Sequence, residues 1–400
     1  MNILYICDEY PPGRHGGIGS VVRSMAQELS KQGHTVVVAG LYDWGYGGED
    51  KFQDGNVTVY RFRRVLDSTL FSRKERLYVR GLYKVFTRTG IFQWAIDKSL
   101  NRYKSSLERV IQEHEIDIIE TPEFQDYIQY CTRYTPFPQL SKPMIVKLHG
   151  SHTYIHMEVG EQPKEFIRQT EEYLLKKSDL VTSVSRYTAE RTARYLNYDK
   201  EIKVLHNGIE TDKCAVNTSK EPGKVIYTGA LWEKKGIYQL AKAWNRVVRQ
   251  IPEARLTIFG RGREDQVKQH LEERAGDTVT FNGYVKRENL YLELASSMVA
   301  VFPSYAECFA LAPMEAMACG TAVIFTKRAS GPELIDNNKT GLLVDPDDVE
   351  ELAEKIIELL NNPEKTSTLA IAGKELVRRE FDISIIAKKN LEVYKEVAGR

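Results

Sequence analysis

The sequence has 400 residues, 42% of them apolar and 28% charged, and a formal net charge of +1. This composition is that of a soluble globular protein of two or three domains, and the small net charge excludes a polyanion binder that relies on whole-chain charge, so no nucleic-acid partner is expected. The five cysteines form no C-x-x-C pair and are odd in number, which argues against a disulfide framework and a zinc ribbon.

The first half of the chain alternates short apolar runs with segments of helical period. Its start, MNILYICDEYPP, lacks the basic segment of a signal peptide and has the pattern of a buried strand. The predicted strands are Asn2–Cys7, His34–Ala39, Val57–Phe62, Ile116–Glu120, Met144–His149, Leu180–Val184 and Ile202–His206. The predicted helices are Ser20–Gln32, Asn101–Glu113, Glu161–Lys177 and Arg186–Leu196. Residues 1–206 are therefore predicted to form a doubly wound, Rossmann-like α/β domain.

The same alternation restarts after the polar stretch 217–223. The predicted strands are Lys224–Tyr227, Arg255–Phe259, Thr278–Phe281, Met298–Phe302, Ala322–Phe325 and Gly341–Val344. The predicted helices are Gly236–Gln250, Arg263–Ala275, Ala310–Ala318 and Asp348–Leu360. We predict a second Rossmann-like domain over 207–382, followed by a helix within 383–400 that either stays on this domain or crosses back to the first. Two such domains in tandem would face each other across a ligand-binding cleft.

The stretch SYAECFALAPMEAMACG, Ser304–Gly320, places two glutamates eight residues apart. Glu307 lies in the predicted loop before the helix that begins near Ala310, and Glu315 lies inside that helix. Both carboxylates can then point toward one site, while the N–H groups of the first helical turn present partial positive charge between them. This arrangement suits a ligand that carries hydroxyls and phosphate. The alternative is that Glu307 caps the helix and Glu315 is an ordinary helix residue.

A second candidate site is the loop YTGALWEKKG, which joins a predicted strand to a predicted helix. Lys235 directly precedes the helix start at Gly236, so its ammonium and the helix N-terminus would add in sign and hold a diphosphate. Exposed surface lysines without a ligand are the alternative.

The loop after the first strand, CDEYPPGRHGGIGSVV, contains Gly16, Gly17 and Gly19, which allow close approach of a ligand, and Ser20 is predicted to cap the following helix. A dinucleotide-binding G-x-G-x-x-G would follow its strand at once, and this loop lacks that spacing. The acidic Asp43 after the second strand nevertheless keeps an oxidoreductase open as an alternative.

His149 ends a predicted strand in MIVKLHGSH and is followed by glycine, a position where ligand contacts gather in parallel sheets. A structural or exposed histidine is the alternative. His152 and His156 lie nearby, but no H-E-x-x-H motif or cysteine partner accompanies them, so no metal is expected.

Residues 61–88 are strongly basic, with nine Lys or Arg against two acids. A helix would place Arg76, Arg80, Lys84 and Arg88 on one edge, and Tyr78, Leu82, Val85 and Phe86 on the opposite side. This pattern is typical of a helix that rests on an anionic membrane or holds an anionic acceptor, and equally of an ordinary amphipathic helix with solvated cations. Since no apolar run approaches the roughly 20 residues of a membrane span, we expect a cytoplasmic protein, peripheral on the membrane at most.

Together these motifs resemble the family 4 retaining glycosyltransferases with the GT-B fold. The resemblance is carried by PSYAECFALAPMEAMACGTAVI, which fits the family's E-x₇-E frame, and continues in SGPELIDNNKTGLLVDP, HNGIE, VSRYTAE and YPPGRHGGIG. Residues from about 42 to 115 match no motif of the family, and acceptor recognition is expected there.

The resemblance implies roles for individual residues. Glu307 would contact the donor sugar's hydroxyls and Glu315 the nucleotide ribose. The backbone N–H groups of Cys308, Phe309, Ala310 and Leu311 would bind the sugar and phosphates. His149 would lie near the sugar, and Gly16 and Gly17 near the phosphates or acceptor.

The family's G-R-L-x-x-x-K-G segment reads GALWEKKG here. Lys235 matches its lysine, but Ala230 replaces its arginine, and Lys234 or Arg261 is expected to stand in. The nucleobase is expected to lie against the backbone near Gly283–Val285.

The implied activity is retaining transfer of a hexose from a UDP- or GDP-sugar to a saccharide or lipid-linked acceptor, in cell-surface polysaccharide or glycolipid biosynthesis, without a cofactor. Two alternatives stay open. One is a nucleotide-sugar epimerase or a phosphorylase on a related fold, and the other is a sugar-nucleotide binder without catalytic activity, which the loss of the family arginine at Ala230 makes credible.

Overall fold

A computed structural model gives the fold. It describes residues 1–13, 16–46, 48–68, 71, 76–216 and 218–399. The chain divides into two compact units, one formed by 1–206 together with 387–400 and the other by 207–386.

The first unit is built on an eight-stranded sheet. Its strands are β1 (Asn2–Ile6), β2 (Thr35–Tyr42), β3 (Lys51–Asp54), β4 (Val57–Arg63), β5 (Ile118–Pro122), β6 (Met144–Leu148), β7 (Leu180–Ser183) and β8 (Ile202–Val204). They lie in the order β3-β4-β2-β1-β5-β6-β7-β8, and every neighbouring pair is parallel except β3–β4. The interior strands are buried along most of their length, which explains their unbroken apolar sequences.

Helices flank this sheet. They are α1 (Gly17–Lys31), α2 (Leu77–Arg88), α3 (Ile91–Glu113), α4 (His152–Glu158), α5 (Glu165–Lys177) and α6 (Arg186–Tyr195). Ser151 and Ser185 cap α4 and α6, each accepting an N–H bond three residues further on. The core joins aromatic side chains of α3 to the sheet, with Trp44 stacked on Phe92 at 4.5 Å between ring centroids.

The second unit has a fully parallel sheet in the order β11-β10-β9-β12-β13-β14. Its strands are β9 (Lys224–Thr228), β10 (Arg255–Phe259), β11 (Val279–Gly283), β12 (Val299–Phe302), β13 (Ala322–Thr326) and β14 (Leu342–Val344). Its helices are α7 (Ile237–Gln250), α8 (Glu264–Lys268), α9 (Glu273–Gly276), α10 (Arg287–Ser296), α11 (Leu311–Ala318), α12 (Gly331–Leu334), α13 (Val349–Asn361) and α14 (Pro363–Glu380). The core contains the fully buried Trp244, whose indole N–H donates to Thr278 at 2.8 Å.

The last helix, α15 (Ile383–Ala398), carries the chain from the second unit into the first. Inside the first unit the Tyr394 hydroxyl donates to the Glu120 carboxylate at 2.6 Å and lies 2.9 Å from the Tyr5 hydroxyl. The buried Lys147 ammonium donates to Asn390 at 2.9 Å. These are buried polar bonds with complete partners, so residues 387–398 form part of the interior of the first unit.

The predicted helix Arg263–Ala275 is wrong in its middle, because the chain forms the two short helices α8 and α9 instead. Asn245 of α7 explains the break. Its amide donates to the His270 carbonyl and accepts the Glu272 N–H, both at 2.9 Å, and so satisfies backbone groups that a continuous helix would have paired internally.

The predicted basic helix is confirmed over α2, but its apolar side is only in part the predicted one. Residues 69–70 and 72–75 of that basic segment lie outside the described residues. The buried Val79 and the half-buried Tyr83 and Phe86 form the packed stripe, at the i, i+4, i+7 spacing of one helix face. Of the other predicted apolar residues, Leu82 is half-buried, whereas Tyr78 and Val85 are 51% and 52% exposed beside the cations. Within the described chain, no helix combines the length and apolar composition that a membrane span requires.

Candidate functional site

The predicted donor residues of the second unit lie at the carboxyl edge of its sheet. Lys234 and Lys235 follow β9, Arg261 follows β10, Val285 follows β11, and the Glu307 loop follows β12. Parallel strands end at the same edge, so residues distant in the sequence converge there.

Close backbone packing shapes this edge. The Leu231 N–H donates to the Arg261 carbonyl at 2.9 Å, which joins the loops after β9 and β10. A Cβ at Gly260 would overlap the Gly229 carbonyl, so the two loops approach this closely only because position 260 lacks a side chain. Gly236 then ends a short 3-10 helix over Glu233–Lys235 with a left-handed φ of 68°.

Lys235 and Glu307 form the central contact of the site. The ammonium donates to a carboxylate oxygen of Glu307 at 2.7 Å, and the two side chains are 29% and 12% exposed. Tyr227 lies beneath this pair, where burial and then the charge of Glu307 raise the pKa of its hydroxyl. The ion pair contradicts the alternative in which Glu307 is only a helix cap.

Helix α11 begins at Leu311 with Pro313 in its first turn, as the sequence predicts. Among the described residues, no side chain caps its N-terminus at Ala310. Cys308 and Ala310 are half-buried, whereas the Phe309 ring is buried against Phe381 at 5.4 Å between centroids. The N-terminus of α11 therefore retains N–H groups that can bind an anion.

Glu315 is buried on α11 and contacts α10. The Tyr291 hydroxyl lies 3.5 Å from one carboxylate oxygen, and the Arg287 guanidinium 3.4 Å from the same oxygen. Burial raises the pKa of Glu315, and the charge of Arg287 partly opposes that rise. Sequence reasoning missed both partners because α10 was not predicted.

The two cations proposed to replace the family arginine lie on exposed loops. Arg261 packs over the ring of Tyr284 at 5.1 Å, and Lys234 is exposed, with its backbone carbonyl bonded to the Tyr305 N–H. Ala230 provides a carbonyl to the Tyr227 hydroxyl at 2.9 Å and no charge. Arg261 lies on the loop paired directly with that of Ala230, so it is the better placed of the two substitutes.

In the first unit, Glu9 occupies the glycine-rich loop. Its carboxylate accepts the N–H groups of Gly16 at 3.0 Å and Gly19 at 2.9 Å, at the N-terminus of α1. Ser20 is not the predicted cap, because the helix begins earlier, at Gly17, and its hydroxyl donates back to the Gly16 carbonyl. An internal carboxylate thus fills the place that a phosphate would take beside Gly16 and Gly17.

His149 follows β6, and its backbone is held by a buried acid. The Glu123 carboxylate accepts the N–H groups of His149 at 2.7 Å and Gly150 at 2.5 Å. Burial and the charge of Lys147 lower the pKa of the His149 imidazole to about 3, so the ring is neutral at physiological pH. A neutral imidazole can exchange hydrogen bonds with a sugar hydroxyl but supplies no positive charge.

Among the described residues, no group of three or more His, Cys, Asp or Glu side chains is arranged to hold a metal ion. Operation without a metal stays a prediction.

The comparisons with known proteins agree with this architecture. Residues 15–213 match the family described as Glycosyltransferase Family 4, and residues 209–376 match Glycosyl transferases group 1. The chain is 26% identical to glycogen synthase of Mycobacterium tuberculosis, over 98% of this chain and 94% of that protein. It is also 26% identical to a GDP-mannose-dependent monoacylated alpha-(1-6)-phosphatidylinositol monomannoside mannosyltransferase of Corynebacterium glutamicum, over 62% of this chain and 68% of that protein.

Solved structures share the fold over nearly the whole chain. Sucrose-phosphate synthase from Thermosynechococcus elongatus superposes with a TM-score of 0.78 at 20% identity, covering 100% of this chain and 99% of the other. Anabaena Alr3699/HepE in complex with UDP-glucose superposes with a TM-score of 0.68 at 17% identity, covering 99% and 100%.

Two parallel-sheet α/β units with a cation–carboxylate pair at a sheet's carboxyl edge, together with these matches, define a glycosyltransferase with the GT-B fold. Within that class the chain belongs to family 4, whose two domain matches together span residues 15–376.

Proposed function

We propose that the protein transfers a hexose from a UDP- or GDP-sugar to a hydroxyl of a saccharide or lipid-linked acceptor, with retention at the anomeric carbon. The product would belong to a cell-surface polysaccharide or glycolipid. UDP-glucose in one solved neighbour and GDP-mannose in the name of one relative support these donor classes.

The observation that carries the proposal is the 2.7 Å ion pair between Lys235 and Glu307 beside the uncapped α11. Without donor, each side chain neutralises the other. A bound nucleotide sugar would offer its diphosphate to Lys235 and the helix N–H groups, and its sugar hydroxyls to Glu307. Lys235 would then exchange the carboxylate for a phosphate, and Glu307 would exchange the ammonium for hydroxyl donors, so neither charged group is left without a partner on binding.

The reaction needs no protein nucleophile. The bond between the anomeric carbon and the β-phosphate oxygen breaks as the acceptor oxygen bonds to the same face of that carbon, and a leaving-phosphate oxygen takes the acceptor proton. Lys235 and the α11 amides act where negative charge grows on the diphosphate, which lowers the energy of the transition state. His149, neutral at physiological pH, is suited to hold a sugar hydroxyl and would not compete for the diphosphate.

A donor and acceptor panel tests the proposal. The protein is incubated with UDP- and GDP-hexoses and with saccharide and lipid-linked acceptors, and released UDP or GDP is measured together with the anomeric configuration of the product. We expect acceptor-dependent nucleotide release and a retained configuration. Turnover of the donor without acceptor would instead indicate an epimerase, dependence on inorganic phosphate a phosphorylase, and tight binding without product a sugar-nucleotide binder.

Glu315→Gln is expected to stabilise the unliganded protein by about 1 kcal/mol at neutral pH while weakening nucleotide binding. Because burial raises the pKa of Glu315, the unfolded chain ionises this carboxyl first as pH rises. The free energy of unfolding therefore falls as pH rises from the ordinary pKa of glutamate to the raised pKa of Glu315 in the folded protein, and glutamine abolishes this fall. Thermal unfolding of both proteins between pH 4 and 8 measures the difference. Loss of a charged bond to the ribose would reduce nucleotide affinity by roughly 10- to 100-fold.

Glu288→Gln is the matched control, since Glu288 is an exposed acid on α10. It should leave both the pH profile and the nucleotide affinity unchanged. A less stable Glu315→Gln protein that binds nucleotide normally would contradict both assigned effects.

We further propose that α2 docks on an anionic membrane surface. The exposed Arg80, Lys84 and Arg88 lie beside Leu77, 81% exposed, and the half-exposed Tyr78 and Val85. Apolar side chains between cations suit insertion among lipid headgroups, because the cations bind phosphates while the apolar groups leave water.

Vesicle co-sedimentation measures this docking. Binding to phosphatidylcholine vesicles should rise when phosphatidylserine is added and fall with salt. The double variant Arg80→Glu, Lys84→Glu should lower the affinity for these vesicles by at least about 30-fold, since each cation near an anionic surface contributes about 1 kcal/mol. Lys388→Glu, Lys389→Glu, on the exposed face of α15, is the control. Equal loss in both double variants would refute a specific role for α2.

A further inference from the structure

A cavity of about 600 Å³ lies at the carboxyl edge of the first unit's sheet, where β1, β2 and β5 end. Its size is that of a small-molecule site. It is lined in part by residues 43–46 and by Phe71, within the region where the sequence matches no motif of the family.

Carboxylates dominate the charge of this cavity. Asp8, Glu9, Asp43 and Asp126 line it, and none of the described lining residues is Lys or Arg. Among the described cations, Arg64 pairs with two of the lining carboxylates: its side chain is fully buried and lies 3.1 Å from Asp43 and 2.8 Å from Asp126. One guanidinium therefore serves two lining carboxylates and has no charge to spare for a ligand.

A second group that could hold an anion, the start of α1, is also partly committed internally. The N–H groups of Gly16 and Gly19 are bonded to the carboxylate of Glu9, itself a lining residue. A ligand phosphate or carboxylate would have to displace Glu9 into a cavity that already contains Asp43 and Asp126, which share the single charge of Arg64, and Asp8, whose pKa burial raises to about 7. Repulsion between like charges within one cavity would raise the free energy of such a complex, so the cavity selects against an anionic ligand.

Aromatic side chains supply the other surface. Trp44, Tyr46, Phe71 and Phe124 line the cavity; Tyr46 and Phe124 are half-buried and offer the accessible ring surface, whereas Trp44 and Phe71 are buried behind it. Trp44 is held by its stacking on Phe92 and by an indole N–H bond to the Val65 carbonyl at 2.8 Å, so its position is fixed before a ligand binds. The negative faces of aromatic rings attract the positively polarised C–H groups of a sugar and repel anions.

From this juxtaposition we infer that the acceptor site of the enzyme takes an uncharged, hydroxyl-rich saccharide and rejects acceptors whose reacting end carries a phosphate or carboxylate. The inference rests on the proposed transferase function and names its acceptor class. Carboxylate oxygens would accept the sugar's hydroxyl protons, and the rings would cover its C–H face.

Matched acceptor pairs test the inference. With the best donor of the panel, nucleotide release is compared between maltotriose and maltotriose phosphate, and between a mannose disaccharide and its phosphate. We expect release with the neutral member at least ten times faster. Equal or faster release with the phosphorylated members would overturn the inference while leaving transferase activity established.

A charge variant links the preference to the cavity. Asp126→Asn removes one negative charge from the cavity and leaves Arg64 paired with Asp43 alone. The preference for neutral over phosphorylated acceptor should therefore shrink at least ten-fold. Asp97→Asn is the matched control, because Asp97 pairs with Arg133 at 2.7 Å and does not line the cavity. An unchanged preference in Asp126→Asn would count against the cavity as its origin.

A direct binding measurement tests the saccharide preference even if no acceptor supports transfer. Tryptophan fluorescence is titrated with the same pairs, and Trp44→Phe identifies the signal that comes from the cavity. The neutral saccharides should change the Trp44 signal and the phosphates should not. Absence of any change with neutral saccharide would refute the inference, whereas absence of nucleotide release alone would refute only the transferase.

Discussion

Lys235→Ala is expected to lower kcat/KM for sugar transfer by about 10²- to 10³-fold, the effect of removing one group that stabilises developing negative charge. The variant loses the ammonium that is proposed to bind the departing diphosphate and leaves Glu307, only 12% exposed, without its ion-pair partner. Nucleotide release under saturating acceptor measures the rate, and nucleotide titration measures the affinity. Lys235→Arg should recover part of both, because it restores the charge at slightly altered reach.

Lys234→Ala is the matched control, since this neighbouring lysine is exposed and its backbone carbonyl, which accepts the Tyr305 N–H at 2.9 Å, is retained in the variant. A small effect at Lys234 beside a large one at Lys235 would separate a specific diphosphate contact from general positive charge. Comparable losses at both positions would show that the loop acts through its net charge, and an unaffected Lys235→Ala enzyme would remove the proposed role of this residue.

Gly236→Ala is expected to destabilise the protein by about 3 kcal/mol or more, through backbone strain and a steric clash. Gly236 has a φ of 68°, and a Cβ there would overlap the Pro303 carbonyl oxygen. Pro303 begins the loop that carries Glu307, so relief of the clash would separate the two loops that form the ion pair. Urea unfolding measures the stability, and nucleotide titration reports whether the folded fraction still binds.

Gly276→Ala serves as the comparison in the same unit. It has no positive φ, and an added Cβ would meet no atom within 4 Å. Its free energy of unfolding should stay within about 1 kcal/mol of that of the parent protein. If Gly236→Ala unfolded no more easily than Gly276→Ala, the close packing of the two loops would not be a requirement of the fold.

Strand periodicity was sufficient to predict most of both sheets, because parallel strands buried on two faces require unbroken apolar runs. It was insufficient for β3, a short partly exposed edge strand whose pattern is weak, although the two-residue loop Gly55-Asn56 before β4 is a hairpin signal. The break between α8 and α9 depends on Asn245, a side chain on another helix. Local pattern does not report such a tertiary contact.

The candidate site shows the same division. The E-x₇-E spacing and the lysine before Gly236 predicted which residues lie at the carboxyl edge of the second sheet, since loop position follows from strand position. Arg287 and Tyr291 were missed because their contact with Glu315 depends on how α10 packs on α11. Likewise, nothing in the spacing of Glu9 relative to Gly16 indicated that its carboxylate fills the start of α1.

Because α15 supplies Tyr394 and Asn390 to the interior of the first unit, that unit is discontinuous in sequence. During synthesis residues 1–206 leave the ribosome long before residues 387–398, so the core of the first unit stays incomplete while the whole of the second unit is made. We expect a chaperone to bind this incomplete intermediate. A fragment that ends at residue 206 should be poorly soluble unless residues 387–398 are added back as a peptide.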